Sequence, residues 1–224
     1  MSLAVVHPLP ARAPRASRRQ TRERLMRVGR QVFARKGLAG ANLKTDILRP
    51  ARVSVGSFYH QFRDKTDLLL AILEDHARTF RAMISEAHHA ALATPEAMAR
   101  HSYETVFRIA DGSDDLFRIM MRERESLDAR VRAYLRDSHS RWIASLAEDY
   151  ERLGITDRDA AMLAAELISA LTLGTVLTYL DQPRRTRSRT RTRFIDGLVR
   201  FTIGGVPALA SAHPRFPGNG ARKE

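Results

Sequence analysis

Apolar positions recur every three or four residues along most of this chain, and no strand-like alternation of any length follows Leu73. Leu25, Val28, Val32 and Phe33 predict a first helix from about Thr21 to Arg35, with Gly37 as its stop. Asn42 is placed to cap a second helix, about Leu43 to Arg49, anchored by Ile47 and Leu48. Ser54 then caps a very short third helix over 55–60, with Val53, Phe58 and Phe62 inward and Val55, Ser57, Tyr59 and His60 outward. Asp64 caps a fourth helix, and Asp67 adds negative charge to its positive end. Its stripe of Leu69, Ile72, Leu73, Phe80, Met83 and Ile84 carries it to about Leu92.

The remainder also reads as helices. Thr94 and Pro95 start a fifth, to about Ala110, and Asp111, Gly112 and Ser113 break it before a short sixth from Asp114 to Glu125. The seventh, Asp128 to Leu153, turns Val131, Leu135, Trp142, Leu146 and Tyr150 inward, and Gly154 closes it. Thr156 opens an eighth that ends before Pro183, and a ninth runs from Arg191 to Ile203. Gly204, Gly205 and Pro207 are expected to end the fold. The fold class is therefore all-α with about nine helices, the first three forming a helix-turn-helix.

A helix as short as 55–60 buries too little to stand alone, so packing must hold it. Held and exposed on a basic background, it suits the major groove of DNA. Charge supports this: of the net +13, residues 1–64 carry 14 Lys/Arg against 3 Asp/Glu, or +11, and residues 65–224 carry 24 against 22, or +2. A GC-rich genome would explain why 34 of the 38 basic residues are arginine, but not this asymmetry. Val55 and Ser57 are the expected base readers, the valine against a thymine methyl and the serine by a hydrogen bond. Ser54, Tyr59 and His60 belong to the same surface; Tyr59, His60 and Lys65 are expected on phosphates, with Lys44 and Thr45 as further backbone contacts. The arginines before residue 20 read either as a minor-groove arm or as a basic tail of non-specific affinity.

The segments FARKG, DIL and VSVGSFYHQFRDKTDLLLAIL resemble the DNA-binding domain of the TetR/AcrR family of bacterial regulators, over Thr21 to Leu73. Two features depart from that family. Arg52, after Pro50, stands where the family usually has glycine in the turn, and Phe33 to Tyr59 is one residue longer than usual. Pro50 is expected to end the second helix early. The resemblance implies a cytoplasmic homodimer paired through its last two helices, a palindromic double-stranded DNA operator, and release by a small-molecule effector. It divides the chain into a disordered basic arm (1–18), a DNA-binding domain (19–66), a helical effector-binding and dimerisation domain (67–206) and a disordered tail (207–224). The other readings are an activator on the same fold, a small-molecule binder whose helix-turn-helix no longer grips DNA, and an enzyme built on the bundle.

Chemistry elsewhere is sparse. There is no cysteine, which excludes disulfides and thiolate metal sites, and an apolar start ahead of Arg12 reverses the order of a secretory leader. His88 and His89 are adjacent, so on a helix they cannot easily share a metal; His101 and His139 read as structural. No nucleophile elbow, phosphate loop or carboxylate pair is present, so no enzyme, cofactor or metal is expected. Tyr103, Phe107, Phe117, Met120, Met121, Trp142 and Tyr150 are either core or the lining of an effector cavity, with Arg118, Arg122 and Glu123 as possible polar anchors. Ala161 to Leu180 carries only Glu166 as a charge, long enough to span a bilayer, yet its threonines favour a helix buried on two faces, one against a partner subunit. The arginine run 184–193 reads as a solvated charge cluster or as a site for an anionic effector.

Overall fold

A computed structural model describes residues 15–89 and 94–212, which form nine α-helices and one short 3₁₀ turn with no strand among them. They fall into two compact units that divide between Ile72 and Leu73. Residues 1–14, 90–93 and 213–224, which include most of the expected basic arm and of the expected tail, lie outside the described residues.

In the first unit, α1 (Arg15–Gly40) starts six residues before its predicted start. Residues 15–18, expected as part of a disordered arm, are therefore helical. The predicted stop is present inside the element, where Gly37 takes φ 69° and breaks the helical path, a conformation open to glycine. Leu25, Val32 and Phe33 are buried, as are Leu68, Leu69 and Ile72 of α4 (Lys65–His89), which approaches α1 at Gly29. Gly29 permits this approach: a β-carbon there would stand 2.9 Å from Leu68 Cδ2 and 3.2 Å from Ile72 Cδ1.

The second helix departs from expectation. Leu43–Leu48 is π-helical and Arg49–Ala51 continues it as an α-helical turn; together they are α2. Pro50 does not end it. The wider turn, in which Arg49 N–H reaches the Lys44 carbonyl, displaces the backbone that a proline ring would otherwise strike. Arg52 then adopts the left-handed conformation (φ 52°, ψ 48°) in the position where the resemblance expected glycine, at a cost of about 1 kcal/mol.

In the second unit, α7 (Ala129–Arg152) packs on α8 (Arg158–Leu180), and α9 (Arg187–Ala212) packs on α8 and on α5 (Pro95–Gly112); α6 (Asp114–Glu123) lies beside α5 and α7. Thr94 and Asp128 cap as expected, with Asp157 rather than Thr156 capping α8. The ninth helix is longer than predicted at both ends: Gly204, Gly205 and Pro207 do not terminate it, and residues 207–212, expected in a disordered tail, are helical. Burial of Thr202 and Val206 holds this stretch against the local preference of two glycines and a proline.

By length and composition α8 is apolar enough to cross a membrane. One face, including Ala160, Ala161, Ala164, Ala165, Ile168 and Val176, is buried within the unit. Leu167 and Leu171 remain exposed, as does Phe201 of α9.

The arginine run is not a uniformly solvated cluster. Arg187 is buried: it donates to the carbonyls of Leu180 (2.6 Å) and Gln182 (3.1 Å), lies 3.5 Å from Asp114 and 3.8 Å from Asp111, and covers the Tyr179 ring. Asp111 in turn accepts from Tyr179 (2.7 Å) and faces Arg191 (3.4 Å). Burial, with the Asp111 carboxylate adding to it, pushes the Tyr179 phenol up to about 12. Arg184, Arg185, Arg189 and Arg193 are exposed.

Candidate nucleic-acid interface and effector cavity

The third helix, α3 (Val55–Tyr59), is five residues long and held from both ends. Ser54 Oγ accepts from Ser57 N–H at 3.1 Å, and Phe58 and Phe62 are buried beneath it with ring centroids 5.8 Å apart. On its far side Asp64 accepts from Asp67 N–H (2.8 Å) while Asp67 accepts from Arg63 N–H (3.0 Å), a reciprocal cap that fixes where α4 begins. Arg22 lies 4.6 Å over the Phe62 ring, and the Gln61 amide donates to the Arg18 carbonyl at 3.2 Å. Neither tether was foreseen, because each joins residues about forty apart in sequence.

What this scaffold presents outward is one surface. Val55 is 45% exposed and Tyr59 57% exposed; Ser54, Ser57 and His60 are exposed beside them. Nothing stands within 4 Å of a β-carbon placed on Gly56, so the helix face is open. The Ser57 hydroxyl accepts from Ser54 Oγ at 2.9 Å, which leaves its own proton available to a base edge. Asn42 caps α2 by accepting from Lys44 N–H (3.0 Å) and Thr45 N–H (3.1 Å), and both side chains are exposed.

Asp46 bonds Lys36 at 2.8 Å and accepts from Asn42 N–H at 2.9 Å, contacts that hold its carboxyl below its ordinary range. Lys65, expected on a phosphate, also bonds within the unit. Its ammonium donates to the Ala41 carbonyl at 3.0 Å and to Ala39 at 3.5 Å, joining the start of α4 to the loop before α2.

The second unit holds a partly open cavity of about 660 Å³. Among the seven candidate lining residues, Tyr103, Phe117 and Trp142 border it. Phe107 and Met121 do not: Phe107 is fully buried, edge-on to Tyr179 at 5.0 Å, and Met121 is half-buried outside the lining. Arg118, Arg122 and Glu123 are also absent from it, and Arg118 pairs instead with Asp114 at 2.8 Å. Met120 and Tyr150 do line it, as do Val206 and Pro207, which only the extension of α9 brings there. Tyr134 donates to Glu74 at 3.0 Å, and burial followed by that carboxylate pushes its phenol up to about 12. Among the described residues no cluster of three or more His, Asp or Glu could hold a metal ion.

Residues 25–72 match the family model described as bacterial regulatory proteins, tetR family. Solved structures similar over most of their length include the fatty acid degradation regulator FadR from Bacillus halodurans, at 17% identity and TM-score 0.68 over 83% of this chain and 95% of that one. A TetR-family transcriptional regulator from Streptomyces coelicolor matches at 16% identity and TM-score 0.65 over 82% and 96%. A TetR transcriptional regulator from Legionella pneumophila matches at 19% identity and TM-score 0.63 over 82% and 96%. Residues 25–72 of this chain are thus similar to the tetR family of bacterial regulatory proteins, and the chain as a whole shares its fold with these solved regulators.

Proposed function

We propose that this protein is a cytoplasmic homodimeric repressor that binds a near-palindromic operator and is released by a small molecule. The observation that carries the reading is α3, a rigidly seated short helix with Val55, Ser57 and Tyr59 outward, in the part of the chain that holds +11 of the net charge. Two copies related by a two-fold axis would enter successive major grooves about 34–36 Å apart. The exposed Leu167, Leu171 and Phe201 favour a second copy packed on α8 and α9, with no role for a membrane. Helix α4 starts in the DNA-binding unit and ends in the unit with the cavity, so a ligand that prefers one α4 position acts on half-site spacing. A 100-fold release needs about 2.7 kcal/mol of such preference.

The phosphate and base assignments are tested by alanine variants in equilibrium DNA binding at several salt concentrations. Tyr59→Ala is expected to weaken all duplexes alike, by about 5- to 10-fold, with the salt slope unchanged, because a neutral hydroxyl releases no counterion. Lys65→Ala is expected to reduce the slope by about one unit. Ser57→Ala should instead relax preference at one base position per half-site, by about 1–3 kcal/mol. An unchanged slope for the Lys65 variant removes it from the phosphate contacts, and unchanged sequence preference removes Ser57 from the base readers.

A further inference from the structure

We propose that the cavity of the second unit takes an uncharged, mostly apolar ligand whose one polar group accepts a hydrogen bond from the Tyr150 hydroxyl. This rests on the effector-site reading above and adds the chemistry of the effector.

The walls are apolar over most of their area, with Phe80, Val106, Phe117, Trp142, Leu146 and Ile168 among them. The charged side chains that border the space are already matched. Arg81 pairs with Glu74 at 3.3 Å, and Asp149 pairs with Arg152 at 2.8 Å. His76 packs its ring against Phe80 and Phe117, and His139 is exposed. An ionised ligand head group would therefore leave water without an opposite charge waiting for it, which is costly in an apolar space.

The two other tyrosine hydroxyls of the wall are matched too. Tyr103 bonds Thr202, and Tyr134 bonds Glu74. Ser102 and Ser169 are half-buried on helices, where a serine can turn to the carbonyl one turn back. Tyr150 is only 7% exposed, borders the cavity, and makes no hydrogen bond to any described residue. No side-chain polar atom among the described residues is both fully enclosed and unbonded, so this hydroxyl retains accessible surface in a residue that borders the cavity. A buried phenol with no partner is a donor held ready for a ligand acceptor. Burial, and then the neighbouring Tyr103 and Asp149, push its ionisation upward, which keeps the proton on the phenol and disfavours an anion beside it.

Trp142 is the sole tryptophan and borders the cavity, so its fluorescence reports occupancy. The experiment titrates the full-length protein near neutral pH with 1-decanol, decanoate and decylammonium, which share one chain and differ in the charge of the head group. Decanol is expected to bind more than about tenfold tighter than either ion. Tyr150→Phe is expected to weaken decanol about three- to tenfold while leaving the urea unfolding midpoint in place. Tighter binding of either ion, no saturable signal from any of the three, or a Tyr150→Phe variant with unchanged affinity would overturn the assignment. Decanol binding in the expected order without release of bound DNA would support the assignment and defeat ligand-controlled repression instead.

Discussion

Replacing Arg187 with alanine is expected to destabilise the second unit by about 3 kcal/mol, the largest effect of any single arginine in the 184–193 run. The guanidinium is nearly enclosed, holds two backbone carbonyls at the turn between α8 and α9, and stands between Asp111 and Asp114. Its removal leaves the Leu180 carbonyl without this donor and two carboxylates without their shared cation. The loss stays at the lower end for a broken buried pair, because Asp111 keeps Tyr179 and Arg191. Lysine should recover only part of it, since one ammonium cannot serve a fork-shaped set of acceptors. Arg189→Ala, at an exposed position of the same run, is expected to change stability by less than about 0.5 kcal/mol. Urea unfolding followed by Trp142 fluorescence reads the second unit selectively. Equal effects at 187 and 189 would mean that the run is a solvated cluster after all.

A second large effect is expected at Leu171. A glutamate there should split the dimer and weaken operator binding by about 10²–10⁴-fold, because a lone subunit loses the second half-site. Leu171 is 37% exposed and lies one helical turn from Leu167, itself 46% exposed, while Phe201 on α9 is 57% exposed. Apolar side chains gathered in this way on two packed helices would be covered by a second copy. Val176, on the same helix, is 1% exposed and borders the cavity. A charge at Val176 would disrupt the unit's own packing and so would say nothing about pairing. Light scattering distinguishes the outcomes: a folded Leu171→Glu monomer fits the α8–α9 interface, and a folded dimer relocates it.

The sequence was most informative where structure is local. The caps at Asn42, Ser54, Asp64, Thr94 and Asp128 each depend on residues within one turn, and each is present. The outward set on α3 was equally legible, because alternation between Phe58 and its neighbours fixes the face over so short a helix. Misreadings came where distant contacts override local preference. Pro50, Gly204, Gly205 and Pro207 looked like stops, yet a π turn accommodates the first and burial of Val206 carries α9 through the others. Arg187 differs from its neighbouring arginines through aspartates more than seventy residues away. Phe107 and Phe117 have the same chemistry and the same helical periodicity, and only the packing of α8 against one of them separates core from cavity wall.

All of the functional reading depends on α3 lodging in the grooves of duplex DNA as a pair. Selection of bound duplexes from a random pool by the full-length protein, sequenced after several rounds, tests this most directly. The expected product is a two-fold symmetric motif whose half-sites lie about one helical turn apart, with the Ser57→Ala protein relaxing one position in each half. Recovery of no enriched motif by folded, dimeric protein would contradict it.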